Sequence, residues 1–292
     1  MSKIELFSKK NINCFNKYFS IINRSVSDYF TLPLDVHDEE KIVGVLIEKM
    51  LIFANSKRYT DLGFCLEKQE EVKVNLGIKC NTKRNEKKTG WDIAIIFNIQ
   101  TSGFQTKKFV LLQAKRLYPD TRELFSAKST YKMISPKSIV QSENMFKYSK
   151  ESYYLLLSPT KVLQLEEELG TRVITADQMI SLTKKPPSVN QIVLISDRLE
   201  DFMIDMMKCK KGDTNKVRLR KVLNSDEIDF LFFINVGGKE REFDIKENGI
   251  TTDDWLTTDF KKSQYLSHNG KTFVKKSFKV EESNKNPEAK IL

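Results

Sequence analysis

A chain of 292 residues with 40% hydrophobic and 10% aromatic content can bury a sizeable core and is not composed like a disordered one. Lys and Arg number 49 against 39 Asp and Glu. The resulting net charge of +10 favours polyanions, nucleic acid before anionic membrane, although a generic Lys-, Asn- and Ile-rich composition has the same excess.

No apolar run reaches the ~18 residues of a membrane span, and Met1–Leu6 lacks the apolar stretch of a secretory signal. Cys14, Cys65, Cys80 and Cys209 show no paired metal-ligand spacing. They read as reduced thiols of a cytoplasmic protein. His37 and His268 are the only histidines, which argues against a histidine-rich metal cluster, an HNH nuclease or an HD phosphohydrolase. The absence of a Gly-x-x-x-x-Gly-Lys-Ser/Thr loop argues against an ATPase motor. A metal bound here must be held mostly by oxygen, which means Mg²⁺ or Mn²⁺.

Ile12, Phe15, Phe19, Ile22, Val26 and Phe30 recur at helical spacing and predict an amphipathic helix that ends at Leu32-Pro33-Leu34. Asp38 is a suitable N-cap for a second helix through Ala54, with Ile42, Leu46, Met50 and Phe53 on one face. At about 100° per residue, Glu39 falls in the middle of that apolar face, Glu40 at its edge and Glu48 opposite. An acid at a helix start can be a dipole-favoured surface group or a carboxylate aimed at a site.

Leu62, Phe64 and Leu66, then Val72, Val74 and Leu76, suggest strands, and residues 81–90 read as a basic loop. Two apolar runs follow, Gly90–Phe97 and Lys108–Tyr118, joined by the polar segment 100–106. They are expected to pair as antiparallel strands. Ser135-Pro136 precedes a helix over 137–149, with Gln141, Met145 and Tyr148 on one face. A buried strand over Ser152–Leu157, a helix over 160–169 stopped by Gly170, and a strand at Arg172–Ile174 complete an α/β plan with a central mixed sheet flanked by helices.

Lys184-Lys185-Pro186-Pro187-Ser188 is the clearest break. It divides the chain into residues 1–185, with the sheet, and 186–292, a C-terminal α+β extension. In the extension, Ile192 to Met207 reads as mainly helical, 208–221 as the densest basic patch, and Phe230–Ile234 and Phe273–Phe278 as strands. The polar tail beyond about 280 is expected to fray.

The chemistry concentrates in the hairpin. Asp92 opens its first strand, and Gln113 and Lys115 close its second, on one face of that strand, with Ala114 pointing away. A carboxylate, an amide and an ammonium converging beside greasy strands are costly without a use. The plain alternative is a hairpin-end salt bridge between Asp92 and Lys115.

Asp92 followed by Gln113-Ala114-Lys115, behind an acidic helix opening Glu39-Glu40-Lys41-Ile42 and ahead of a Gln-bearing helix and Tyr-Tyr-Leu-Leu-Leu-Ser-Pro, resembles the PD-(D/E)xK, or restriction-endonuclease-like, nuclease superfamily. The likeness spans roughly residues 36–160, with Gln113 standing for the second acid and Trp91 for the usual proline. It implies a restriction-endonuclease-like core and a Mg²⁺- or Mn²⁺-dependent endonuclease acting on DNA, in prokaryotic restriction or anti-phage defence. Asp92, Gln113 and the Ala114 carbonyl would hold the metal. Lys115 would supply the catalytic charge, and Glu39 an added ligand or a base. Lys83, Arg84, Lys87, Lys88, Arg116, Lys210, Lys211, Arg218 and Arg220 would hold the phosphate backbone, largely without reading sequence. Any motor or sensor would be a separate subunit. The other outcome is a nuclease-like chain without catalysis, serving as a nucleic-acid-binding or scaffold subunit.

Overall fold

The computed structural model describes residues 9–32, 38–55, 73–80, 83–100, 105–131, 136–182, 187–223, 231–236 and 243–245. The expected strands at Leu62–Leu66 and Phe273–Phe278, and the tail beyond 280, lie outside these residues.

A mixed sheet forms the middle layer. Its strands are β1 (Lys73–Cys80), β2 (Ile93–Gln100), β3 (Gln105–Tyr118), β4 (Thr130–Tyr131), β5 (Ser152–Leu157), β6 (Arg172–Thr175), β7 (Asp197–Arg198), β8 (Leu231–Val236) and β9 (Phe243–Ile245). The order across the sheet is β7-β6-β5-β3-β2-β1-β8-β9, with β4 pairing β3 off this path. Among the described strands only β3 and β5 run parallel, and the crossover between them passes through a helix, as a parallel pair requires.

Helices cover both faces because the strands alternate apolar side chains to both sides. Helices α1 (Lys9–Tyr29), α2 (Glu39–Asn55) and α7 (Leu199–Met207) pack on one face, where Phe19, Ile22, Ile42, Leu46, Phe202 and Met206 meet Ile93, Ile95, Val110 and Leu112. On the other face, α4 (Pro136–Phe146), α5 (Ala176–Leu182), α6 (Val189–Ile195) and α8 (Lys216–Leu223) bring Met145, Met179, Ile192 and Leu219 against Ala94, Ile96, Phe109 and Leu111. The expected α/β plan, a mixed sheet between helices, is the observed one. Asp38 caps α2 as expected, its Oδ1 accepting from Glu40 N at 3.2 Å. No helix among the described residues is long and apolar enough to cross a membrane.

Three local expectations are corrected. Residues 83–89, read as a basic loop, form the short helix α3 (Lys83–Thr89), closed by Gly90 at φ +79°. Residues 160–169, read as a helix, are irregular. Leu163 instead bridges to the 119–130 connection, donating to Phe125 O at 2.8 Å and accepting from Ala127 N at 2.9 Å, and Gln164 takes a left-handed φ of 63°. Tertiary pairing there outweighs helix propensity. The helical stretch from Ile192 to Met207 is split at Asp197–Arg198, which leave the helix to pair with Arg172 and Val173. The break at 184–188 does not divide the sheet, because β7 and β8 beyond it join strands before it.

Candidate functional site

Strand β3 outruns β2. The β2 ladder ends where Ile93 pairs with Leu112, while β3 continues to Tyr118, held along its other edge by β5. Asp92 N donates to Leu112 O at 2.9 Å as the last rung. Backbone groups alternate sides along a strand, so the N–H and C=O of Ala114 and the N–H of Arg116 face the notch that β2 vacates.

Two carboxylates enter this notch from different elements. Asp92 Oδ2 accepts from Ala114 N at 2.7 Å, and Glu39 Oε2, from the first turn of α2, accepts from Arg116 N at 3.1 Å. The other Glu39 oxygen lies 3.5 Å from Lys115 Nζ. The apolar stripe of α2 that buries Ile42, Leu46 and Met50 therefore aims Glu39 at the end of β3, whereas Glu40 turns its N–H to the Asp38 cap.

Gln113 is fully buried on the notch face, while Ala114 joins the opposite core. Its Nε2 is ringed by oxygen: Asp92 Oδ2 at 2.7 Å, Glu86 Oε1 at 3.3 Å and Ala114 O at 3.4 Å. Its Oε1 is buried with no hydrogen-bond partner, a costly state for an amide oxygen.

Glu86 is the residue that sequence reasoning missed. It projects from α3, where Oε1 also accepts from Gln141 Nε2 of α4 at 3.2 Å. The signal was present: Lys83–Lys88 holds no Gly or Pro, and Gly90 closes the helix by donating to Glu86 O at 2.7 Å. A Cβ on Gly90 would stand 2.1 Å from the Gln141 carbonyl oxygen, so glycine is what lets α3 and α4 close on the site.

The electrostatics follow from this crowding. Burial first, and then the Glu86 carboxylate, push the Asp92 carboxyl well above the usual range, against the pull of Lys115 and the Ala114 N–H. Burial likewise raises Glu39, although Lys115 and the Arg116 N–H oppose it.

Of the remaining predicted contacts, Lys87 and Lys88 are exposed on α3, and the side chains of Lys83 and Arg84 lie outside the described residues. The Arg116 guanidinium stacks 4.0 Å from the Tyr118 ring centroid. Arg220 is exposed on α8. Lys210 pairs with Asp205 at 3.1 Å, Lys211 with Asp197, and Arg218 with Asp213 at 3.0 Å. Tyr148 lies beneath the Lys221 ammonium, 4.8 Å from its ring centroid.

Among the described residues, no group of three or more His, Cys, Asp or Glu side chains is gathered to hold a metal ion. The available donors are instead two carboxylates, Asp92 and Glu86, one orphaned amide oxygen and one backbone carbonyl. An all-oxygen, partly anionic set suits a hard divalent cation, and turning the Gln113 amide presents oxygen where the carboxylates converge. The residues fit Mg²⁺ or Mn²⁺.

Residues 57–285 match the model of a family described as "Family of unknown function (DUF6615)". No curated protein matches the chain.

Proposed function

The chain belongs to this family of unknown function, DUF6615, and we propose that it is a metal-dependent nuclease hydrolysing DNA phosphodiester bonds in the cytoplasm. The observation carrying this reading is the gathering of Glu39, Glu86, Asp92, Gln113 and Lys115 around the free backbone edge of β3. That edge has the Asp…Gln-x-Lys pattern of restriction-endonuclease-like nucleases.

Asp92, Glu86, Gln113 Oε1 and the Ala114 carbonyl would hold Mg²⁺ or Mn²⁺. The chemistry these residues would recruit with such a cation would be polarisation of a phosphate and acidification of water. Lys115, 13% exposed at the rim, places a positive charge where the pentavalent transition state gathers negative charge. Glu39 fixes that ammonium through its Oε1. Its raised pKa suits it to take a proton from an attacking water. Gln113 donates to both Asp92 and Glu86 and so holds two carboxylates together before a cation arrives. Exposed Lys87 and Lys88, together with Arg116 and Arg220, would supply backbone contacts. In a prokaryotic defence or restriction setting, a separate motor or sensor subunit would restrain the activity.

A second reading has its own support. Asp92 and Glu39 both cap backbone N–H groups of an unpaired strand edge, a structural task that needs no chemistry. A noncatalytic nucleic-acid-binding subunit would have the same arrangement. Incubating purified protein with plasmid and Mg²⁺ or Mn²⁺ separates the two. Cleavage lost in both Asp92→Ala and Lys115→Ala supports the nuclease, and cleavage surviving both overturns this site. No cleavage by wild type, with nucleic acid still bound, supports the binding subunit.

A further inference from the structure

Glu86 enters the notch from α3, a helix of 7 residues, and two amides hold it there. Its Oε1 accepts from Gln113 Nε2 at 3.3 Å and from Gln141 Nε2 at 3.2 Å. Gln113 shares its nitrogen, which lies closer to Asp92 at 2.7 Å. Gln141, half-buried on α4, directs its nitrogen at Glu86. Hydrogen bonds to a carboxylate are stronger than those between neutral groups, so each amide restrains Glu86 appreciably.

Gln141 is itself held from two directions. Its carbonyl oxygen lies so near Gly90 that a Cβ there would stand 2.1 Å away, which ties this residue to the C-terminal end of α3. Ser142, next along α4, is buried and hydrogen-bonded to the buried Tyr154 hydroxyl at 3.0 Å. Tyr154 on β5 is the register partner of Gln113 on β3. The Gln113–Tyr154 pairing, the Tyr154–Ser142 bond, the chain link from Ser142 to Gln141 and the two bonds to Glu86 thus close a ring through β3, β5, α4 and α3. Packing from four elements restricts Gln141 in advance, so its bond to Glu86 costs little further ordering.

The two amides differ once oxygen is needed in the notch. Gln113 Oε1 is the orphan, and turning it toward the other donors carries Nε2 away from both Asp92 and Glu86. Asp92 keeps its bond from Ala114 N at 2.7 Å. Glu86 then keeps the bond from Gln141, and no other side chain among the described residues donates to it. We propose that Gln141 is a positioning residue: it is the donor that keeps Glu86 in the notch when the Gln113 amide turns, and so sets how tightly the notch takes a divalent cation. The assignment rests on the notch being a Mg²⁺ or Mn²⁺ site and does not depend on cleavage.

The test is titration of the metal-free chain with Mn²⁺, free ion being read by electron paramagnetic resonance, together with thermal melts in EDTA. Gln141→Leu removes the donor at similar size and should weaken Mn²⁺ binding about tenfold or more, as loss of a partner behind a ligand does. Its melting temperature in EDTA should stay within about 2 °C of wild type, because Gln113 still donates to Glu86 in that state. In a Glu86→Gln background the same substitution should change affinity no further, since Gln141 acts through Glu86. Unchanged affinity in Gln141→Leu, an equal fold-loss in both backgrounds, or a larger fall in the EDTA melt overturns the assignment. If wild type takes up no Mn²⁺, the assignment fails together with the metal site. Wild type that binds Mn²⁺, with the expected loss in Gln141→Leu, yet cleaves no plasmid supports the assignment while removing the nuclease reading.

Discussion

Gln113→Glu probes the centre of the site most directly. The amide nitrogen donates to Asp92 at 2.7 Å and Glu86 at 3.3 Å, and a carboxylate in its place has no hydrogen to donate. Gln113 is fully buried, so water cannot substitute. A hydrogen bond to a charged group contributes about 1.5–3 kcal/mol, and the longer of these two counts for less. The variant also gathers a third carboxylate in the notch. Without metal, we expect Gln113→Glu to be destabilised by about 3 kcal/mol, a fall in melting temperature of roughly 6 °C at ~2 °C per kcal/mol.

A divalent cation should reverse the order, because the new carboxylate adds anionic charge to the donor set. At a hundredfold excess over Kd it returns about 2.7 kcal/mol. The defect should also vanish at low pH, where the crowded carboxyls keep their protons, and grow as pH rises. Thermal melts in EDTA and in Mg²⁺ at several pH values read all three effects. A Gln113→Glu protein that melts with wild type in EDTA and gains nothing extra from Mg²⁺ would show that the amide is not surrounded as described, and the metal-site argument would fail with it.

Asp92 has a raised carboxyl pKa, so the folded state keeps a proton that the unfolded state releases near pH ~4. Metal-free wild type should therefore lose stability as pH rises from there, while Asp92→Asn shows a flatter melting profile; parallel profiles would contradict the assignment. Gly90→Ala places a Cβ against the Gln141 backbone at a left-handed φ. It should destabilise by about 1–3 kcal/mol and lower activity by moving Gln141 from Glu86, as melting curves and cleavage rates would register.

Local pattern made much of this molecule legible. The stripe from Ile12 to Phe30, the capped helix behind Asp38 and the paired apolar runs around Ile93 and Val110 all came from periodicities that neighbouring residues impose on one another. The same alternation put Gln113 within reach of Asp92 and sent Ala114 to the other face, and helical phase favoured Glu39 without settling it against Glu40, which the contact with Arg116 N then did. Those are properties of the chain read a few residues at a time.

Other features depended on groups far apart in sequence. Glu86 looked like one acid in a basic loop until α4, 55 residues on, set Gln141 against it. Leu163 left its expected helix for partners at Phe125 and Ala127. Lys210 and Lys211, two of the cations in the basic segment after Met207, found carboxylate partners only when Asp205 and Asp197 took their places beside them. The sequence by itself determined which side chains could share a face. Tertiary structure decided which of them met across elements, because burial and charge act through space, and sequence spacing does not encode those distances.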